Sequence, residues 1–242
     1  MNEECADIEA LVHHAWPATH QEVVGDWILR AADGVTKRAN SVLPWGEPDD
    51  PDKALDAAER FYAARGLPCV FSVGPRAPSW LDGHLAGRGY RLVDEAAYMT
   101  APLDGATPPA AHPVTITDEP GPGWLTTWWE VDGRFDRGLA TAERIVRGVP
   151  ASYAAVHGDG APLAVGRSVL KDGMLGIYCM ATVPAARRRG LGRGVLRGLL
   201  AHGRARGATG AYLVVLWRNT TAMAMYAAEG FTPAGRYHYR VR

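Results

Sequence analysis

Residues 187–194 read Arg-Arg-Arg-Gly-Leu-Gly-Arg-Gly, and this is the segment whose residue types and spacing could do chemistry. Glycines at 190, 192 and 194 let backbone come close to a ligand. A helix starting here would present unsatisfied N–H groups and the positive end of its dipole to an anion. The chemistry implied is the grip of a phosphate group. Two familiar phosphate loops do not fit. A nucleoside-triphosphate loop requires Gly, four residues, then Gly-Lys-Ser/Thr, and no Lys follows Lys171. A dinucleotide loop requires Gly-x-Gly-x-x-Gly, but the frame from Gly190 meets Val195 at its third glycine position and the frame from Gly192 meets Arg197.

The elements that must position this turn are visible on both sides of it. The run from Met174 to Val183 is apolar, with β-branched and aromatic residues, which predicts a buried strand ending at Pro184. Beyond the turn, Val195, Leu196, Leu199 and Leu200 form an i, i+1, i+4, i+5 apolar stripe that predicts a helix. Ala211 to Trp217 predicts a second buried strand. It leads into Asn219-Thr-Thr-Ala-Met-Ala-Met-Tyr226 and closes at Gly230-Phe231, where Gly230 suits the left-handed residue after a helix.

Arg187-Arg188-Arg189-Gly190-Leu191-Gly192 resembles the Arg/Gln-x-x-Gly-x-Gly/Ala signature of the GNAT superfamily of N-acetyltransferases, and Val183-Pro184 is similar to what precedes that signature. The strand, Asn219, the helix with Tyr226 and Gly230-Phe231 resemble the family's second motif. The resemblance covers roughly residues 114–242. It implies acetyl-CoA as cosubstrate, with the strand Met180, Ala181, Thr182 and Val183 pairing with the pantetheine arm. The turn Arg188, Arg189, Gly190, Leu191, Gly192 and Arg193 would hold the pyrophosphate, with Asn219 beside it. It further implies Tyr226 as the general acid for the departing thiolate and a backbone N–H near Met180 polarising the acetyl carbonyl. A primary amine of a small molecule or peptide would attack directly in a ternary complex.

The base is not identifiable: where some members carry a carboxylate on the cofactor strand, this chain has Tyr178 and Cys179. Glu130 and Asp132 read as solvated surface. The missing base motivates an alternative, a non-catalytic module that senses acyl-CoA. Cys179 is expected to be a buried structural thiol. Trp124 and Trp128 share a helix face and are expected in the core.

The N-terminal half resembles the second at an offset of 141. Ala64-Arg65-Gly66 aligns with Ala205-Arg206-Gly207, Gly89-Tyr90 with Gly230-Phe231, and Cys69 to Val73 with Gly210 to Val214. At that offset Gly46-Glu-Pro-Asp-Asp-Pro51 falls on Arg187 to Gly192, and Leu85 falls on Tyr226. Three carboxylates and two prolines would repel a pyrophosphate and remove N–H donors. The expected fold is therefore α/β (α+β), two tandem GNAT-like domains, each a mixed and mainly antiparallel sheet flanked by helices. Residues 1–106 would be a degenerate, non-catalytic domain, the proline-rich 107–113 a linker, and 114–242 the catalytic domain. Arg38 to Pro44 reads as a strand and turn that could line the acceptor cleft.

Composition bounds the rest. At 242 residues with 47% hydrophobic side chains, the chain can bury a core and is not a disordered one. Equal numbers of basic and acidic residues, 26 each, exclude a surface built to hold nucleic acid or a membrane. The neutrality is uneven: residues 1–110 hold 9 basic and 17 acidic side chains, and 111–242 hold the reverse. The basic excess is expected to surround the anionic ligand. No apolar run approaches a membrane span, the first residues are acidic where an export signal needs basic ones, and Cys5, Cys69 and Cys179 show neither disulfide nor zinc spacing. A cytoplasmic protein without metal is expected.

Overall fold

Gly210 to Leu213 lie beside Met174 to Ile177 in parallel register, and beyond these four pairs the two strands separate. That divergence organises the molecule. The computed structural model describes residues 3–105, 108–132 and 138–242, and side chains at 8–105, 108–131 and 138–242. In chain order the elements are α1 (Glu3–Ala15), β1 (His20–Val24), β2 (Trp27–Ala31), β3 (Leu43–Pro44), α2 (Pro51–Ala63), β4 (Val70–Val73), α3 (Leu81–Gly87), β5 (Arg91–Pro102) and β6 (Thr115–Thr117). There follow α4 (Trp124–Asp132), α5 (Leu139–Arg147), β7 (Ser152–His157), β8 (Pro162–Lys171), β9 (Met174–Thr182), α6 (Leu191–Ala205), β10 (Gly210–Leu216), α7 (Thr220–Ala227) and β11 (Thr232–Val241).

Eight strands form one sheet in the order β4-β11-β5-β10-β9-β8-β7-β6, antiparallel except at β9/β10. The α/β, mainly antiparallel class is as the sequence predicts. A sheet in each half is not what forms: β5 of the first half lies between β11 and β10, so β11 joins the sheet through β5 and carries β4 on its outer edge. The first half keeps to itself the small β1-β2-β3 sheet. The physical reason is that β10 and β11 do not pair with each other, which leaves a slot whose backbone groups β5 satisfies on both edges.

The offset of 141 reappears as geometry. Helix, strand, helix, strand recurs as α2-β4-α3-β5 and α6-β10-α7-β11. Each first helix ends in the same hydrogen bond, Leu67 N–H to Tyr62 O and Ala208 N–H to Gly203 O, across left-handed Gly66 and Gly207. The second helices end alike, with Tyr90 N–H to Leu85 O and Phe231 N–H to Tyr226 O.

The core divides by sheet face. Val195, Leu196, Leu199 and Leu200 of α6 are buried against Ile177, Leu213 and Phe231 on one face. Trp124, Trp128, Tyr178 and Tyr212 pack with α1 and α5 on the other. Among the described residues no helix is long and apolar enough to cross a membrane.

Candidate active site

The splay between β9 and β10 has a local cause in β9. Val165 pairs with Ala181 and Arg167 with Tyr178, so Cys179 and Met180 together oppose Gly166. This is a β-bulge, and Cys179 takes a left-handed backbone, φ 53°, to make it. Only glycine fits opposite: a Cβ at 166 would lie 2.6 Å from Met180 Sδ and 2.7 Å from Val195 Cγ1. The bulged strand bends away, and a cleft of about 270 Å³ opens beside it. Met180, Asn219 and Tyr226 all line this cleft, together with Tyr178, Cys179 and Val214.

Tyr226 projects from α7 and is 7% exposed, its ring 6.0 Å from that of Phe231. Burial pushes its phenol up to about 12, so the O–H stays protonated at neutral pH. Ala181 is buried, and Thr182 and Val183 are half-buried at the end of the strand. Asn219 is exposed and caps α7, its Oδ1 accepting from Ala222 N–H at 3.2 Å.

The turn carries two features of a ligand-ready helix start. Arg188 and Gly190 both have left-handed backbone, and Gly190 caps α6 without any side-chain hydrogen bond. Arg188 and Arg189 are exposed and make no ion pair among the described residues. Leu191 is buried and anchors the turn. The corresponding start of α2 is closed: Asp50 accepts from Lys53 N–H at 3.1 Å, and Pro51 supplies no N–H. A carboxylate of the chain itself occupies there the place that an outside anion would take at α6.

The family model described as "Probable histone acetyltransferase Rv0428c C-terminal" matches residues 4–240. The "Uncharacterized N-acetyltransferase YobR" of Bacillus subtilis is 31% identical over 97% of each chain. The chain belongs to the GNAT family of N-acetyltransferases. Among solved structures, a GCN5-related N-acetyltransferase from Kribbella flavida covers 98% of this chain and 95% of its own with TM-score 0.71 at 19% identity. A tandem GNAT protein from the clavulanic acid biosynthesis pathway covers 98% of this chain and 87% of its own with TM-score 0.61 at 14% identity.

Much of the rest of this GNAT cleft comes from the first half, where the sequence points only to Arg38 to Pro44 as able to line it. Trp16, Lys37, Arg38 and Asp94 of the first half line it, as does Trp128. Arg38 sits in a 3-10 turn, Lys37–Ala39, and not in a strand. Trp128 belongs to the core and to the cleft wall at once. Cys179 is half-buried and faces the cleft, because the bulge turns it out of the strand's interior. Glu130 is exposed and does not line the cleft; the side chain of Asp132 lies outside the described residues.

The Arg-rich C-terminus divides by partner instead of surrounding the turn. Arg193 and Arg197 hold the buried Glu229 at 3.2 and 2.8 Å. Arg240 pairs with Asp82 at 2.8 Å, Arg242 with Glu59 at 2.9 Å and Arg218 with Asp94 at 3.3 Å. The opposite net charges of the two halves therefore meet across the β4-β11-β5 region, while Arg187, Arg188 and Arg189 at the turn, like Arg204 and Arg236 elsewhere, make no ion pair among the described residues.

Proposed function

We propose that the protein transfers the acetyl group of acetyl-CoA to a primary amine of a small molecule or peptide, within a ternary complex. The observation that carries this reading is the bulge at Cys179–Met180, which opens β9 from β10 with Tyr226 in the same cleft and the uncapped Gly190 turn at the strand's end. The residues fit the cosubstrate: β9 beyond Tyr178 has an edge not paired to β10, and the first turn of α6 offers backbone N–H groups without a side-chain cap. Bound acetyl-CoA supplies an acyl carbon open to attack by an amine and a thiolate leaving group.

In this reading Met180, Ala181, Thr182 and Val183 hold the extended arm by backbone pairing. Arg188, Arg189, Gly190, Leu191, Gly192 and Arg193 hold the pyrophosphate, Arg193 through its backbone N–H because its side chain is paired with Glu229, and Asn219 fixes the start of α7. The N–H near Met180 points a donor at the carbonyl oxygen where negative charge grows. Tyr226 gives its proton to sulfur as the carbon–sulfur bond breaks, and the proton that the attacking nitrogen releases to water returns through water to the phenolate. Residues 114–242 carry this chemistry, with 107–113 as the connection to 1–106. The first half serves as a non-catalytic copy that builds the acceptor wall. Its capped α2 start and Leu85 in place of Tyr226 support that division.

CoA release by the full chain with acetyl-CoA and a panel of primary amines tests the proposal, alongside calorimetric binding of acetyl-CoA. Binding without transfer to any amine would favour an acyl-CoA sensor, and absence of both would refute the cleft assignment.

A further inference from the structure

The wall contributed by the first half carries one guanidinium, Arg38, that no carboxylate among the described residues pairs with. Asp94, the acid in the cleft lining, is held between Lys37 Nζ at 2.9 Å and Arg218 Nη2 at 3.3 Å. Arg38 makes no ion pair among the described residues, and its Nε is buried without a hydrogen-bond partner. Its guanidinium stands 5.1 Å from the Trp16 ring centre and 6.0 Å from that of Tyr178, both in the cleft lining. Behind it, the phenol of Tyr237 bonds the guanidinium, and Tyr239 and the buried Glu9 carboxyl line the same small cavity without an ion pair to it.

A second guanidinium lies behind the same aromatic pair. Arg167 is 0% exposed, 6.0 Å from the Trp16 ring and 5.8 Å from Tyr178. Its Nη1 donates to Ala15 O at 3.0 Å, while Nε and Nη2 have no partner. Buried charge without a counter-ion is among the most expensive features a fold can keep, and a bound anion relieves it. A planar guanidinium matches a carboxylate in particular, through two parallel N–H···O bonds.

Resting on the acetyltransferase reading, we propose that the acceptor is a small amine that also bears a carboxylate. The carboxylate is taken by Arg38, the body of the molecule lies against Trp16 and Trp128, and the amine is left facing Met180 and Tyr226. Lysine-rich basic peptides are disfavoured, because Lys37 and Arg38 would repel their flanking cations.

The full chain, saturated with acetyl-CoA, is assayed for CoA release with two matched sets. One is 4-(aminomethyl)benzoate, its methyl ester and benzylamine. The other is phenylalanine, its methyl ester and phenethylamine. A lysine-rich peptide is run beside them. In at least one set kcat/KM for the acid should exceed both neutralised partners by about tenfold or more, the size of one charge-assisted pair. Arg38→Gln should abolish that ratio and Arg38→Lys restore part of it, with acetyl-CoA affinity unchanged in both. Equal rates for acid and ester, a ratio insensitive to Arg38→Gln, or preference for the peptide would overturn the proposal while leaving acetyl transfer intact. If no compound is acetylated although acetyl-CoA binds, the acids should still raise Tm in wild type and not in Arg38→Gln; absence of that shift overturns the carboxylate site. Failure of acetyl-CoA to bind would instead refute the underlying reading.

Discussion

Gly166 faces Met180 across the β8–β9 pair so closely that any Cβ at 166 would collide with the Met180 sulfur at 2.6 Å. The bulge that opens the cleft therefore depends on a residue in the neighbouring strand. In Gly166→Ala either Met180 is driven toward the cleft or α6 moves outward from Val195. Overpacking of this kind costs about 1–3 kcal/mol. Urea unfolding should show that loss, and acetyl-CoA binding by calorimetry should weaken because the strand that would hold it is displaced.

Tyr226→Phe keeps the ring against Phe231 and removes only the proton. The fold should be unchanged by circular dichroism. CoA release should fall by roughly 100-fold in kcat, the lower range for a general acid, with little change in KM for acetyl-CoA. An unchanged kcat would remove Tyr226 from the reaction.

Charge reversal at the turn is expected to act on affinity and not on the chemical step. Arg188→Glu places a carboxylate where the pyrophosphate is proposed to sit, at an exposed position where screening limits the effect to about 1 kcal/mol, or roughly fivefold in Kd. Arg204→Glu, at the other end of α6, makes the same charge change away from the turn. Kd measured at low and high salt should separate the two, with the Arg188 effect shrinking as salt rises.

Glu9 gives the fold a pH dependence. It is 3% exposed, and burial pushes its carboxyl from 4.5 up to about 7, against the opposing backbone N–H of Arg76 that it accepts. The unfolded chain ionises near 4.5, whereas the native state keeps the proton until about 7. The stabilisation is therefore complete below 4.5 and is lost as pH rises to about 7, by on the order of 3 kcal/mol. Glu9→Gln should flatten the stability of the protein between pH 5 and pH 8 by a comparable amount, read from denaturant midpoints. A pH dependence identical to wild type would place the proton elsewhere.

The parts of the site carried by one continuous segment are legible in the sequence alone. The apolar run of β9, the stripe Val195, Leu196, Leu199 and Leu200, and the left-handed Gly230 after α7 each follow from local period or backbone conformation. The bulge at Cys179 is not legible there, because nothing in an apolar run distinguishes a regular strand from one that gains a residue against its neighbour. Gly166 carries the signal, a glycine inside a strand pattern, which marks a bulge or a close approach.

What the sequence by itself determined is the strand, turn and helix from Met174 to Leu200, the strand and helix from Ala211 to Tyr226, and the resemblance to the family. These rest on neighbours within a few positions, where propensity and periodicity act. What only the tertiary structure decided is who shares the cleft. Trp16, Lys37, Arg38 and Asp94 reach it because β5 fills the slot between β10 and β11 and brings the first half against β9. The same pairing sends Arg218, Arg240 and Arg242 to first-half carboxylates and leaves Arg38 without one among the described residues. Strand pairing over such separations is set by backbone hydrogen bonds that any residue can make, so it leaves little trace in residue type, while the chemistry of the cleft wall depends on it.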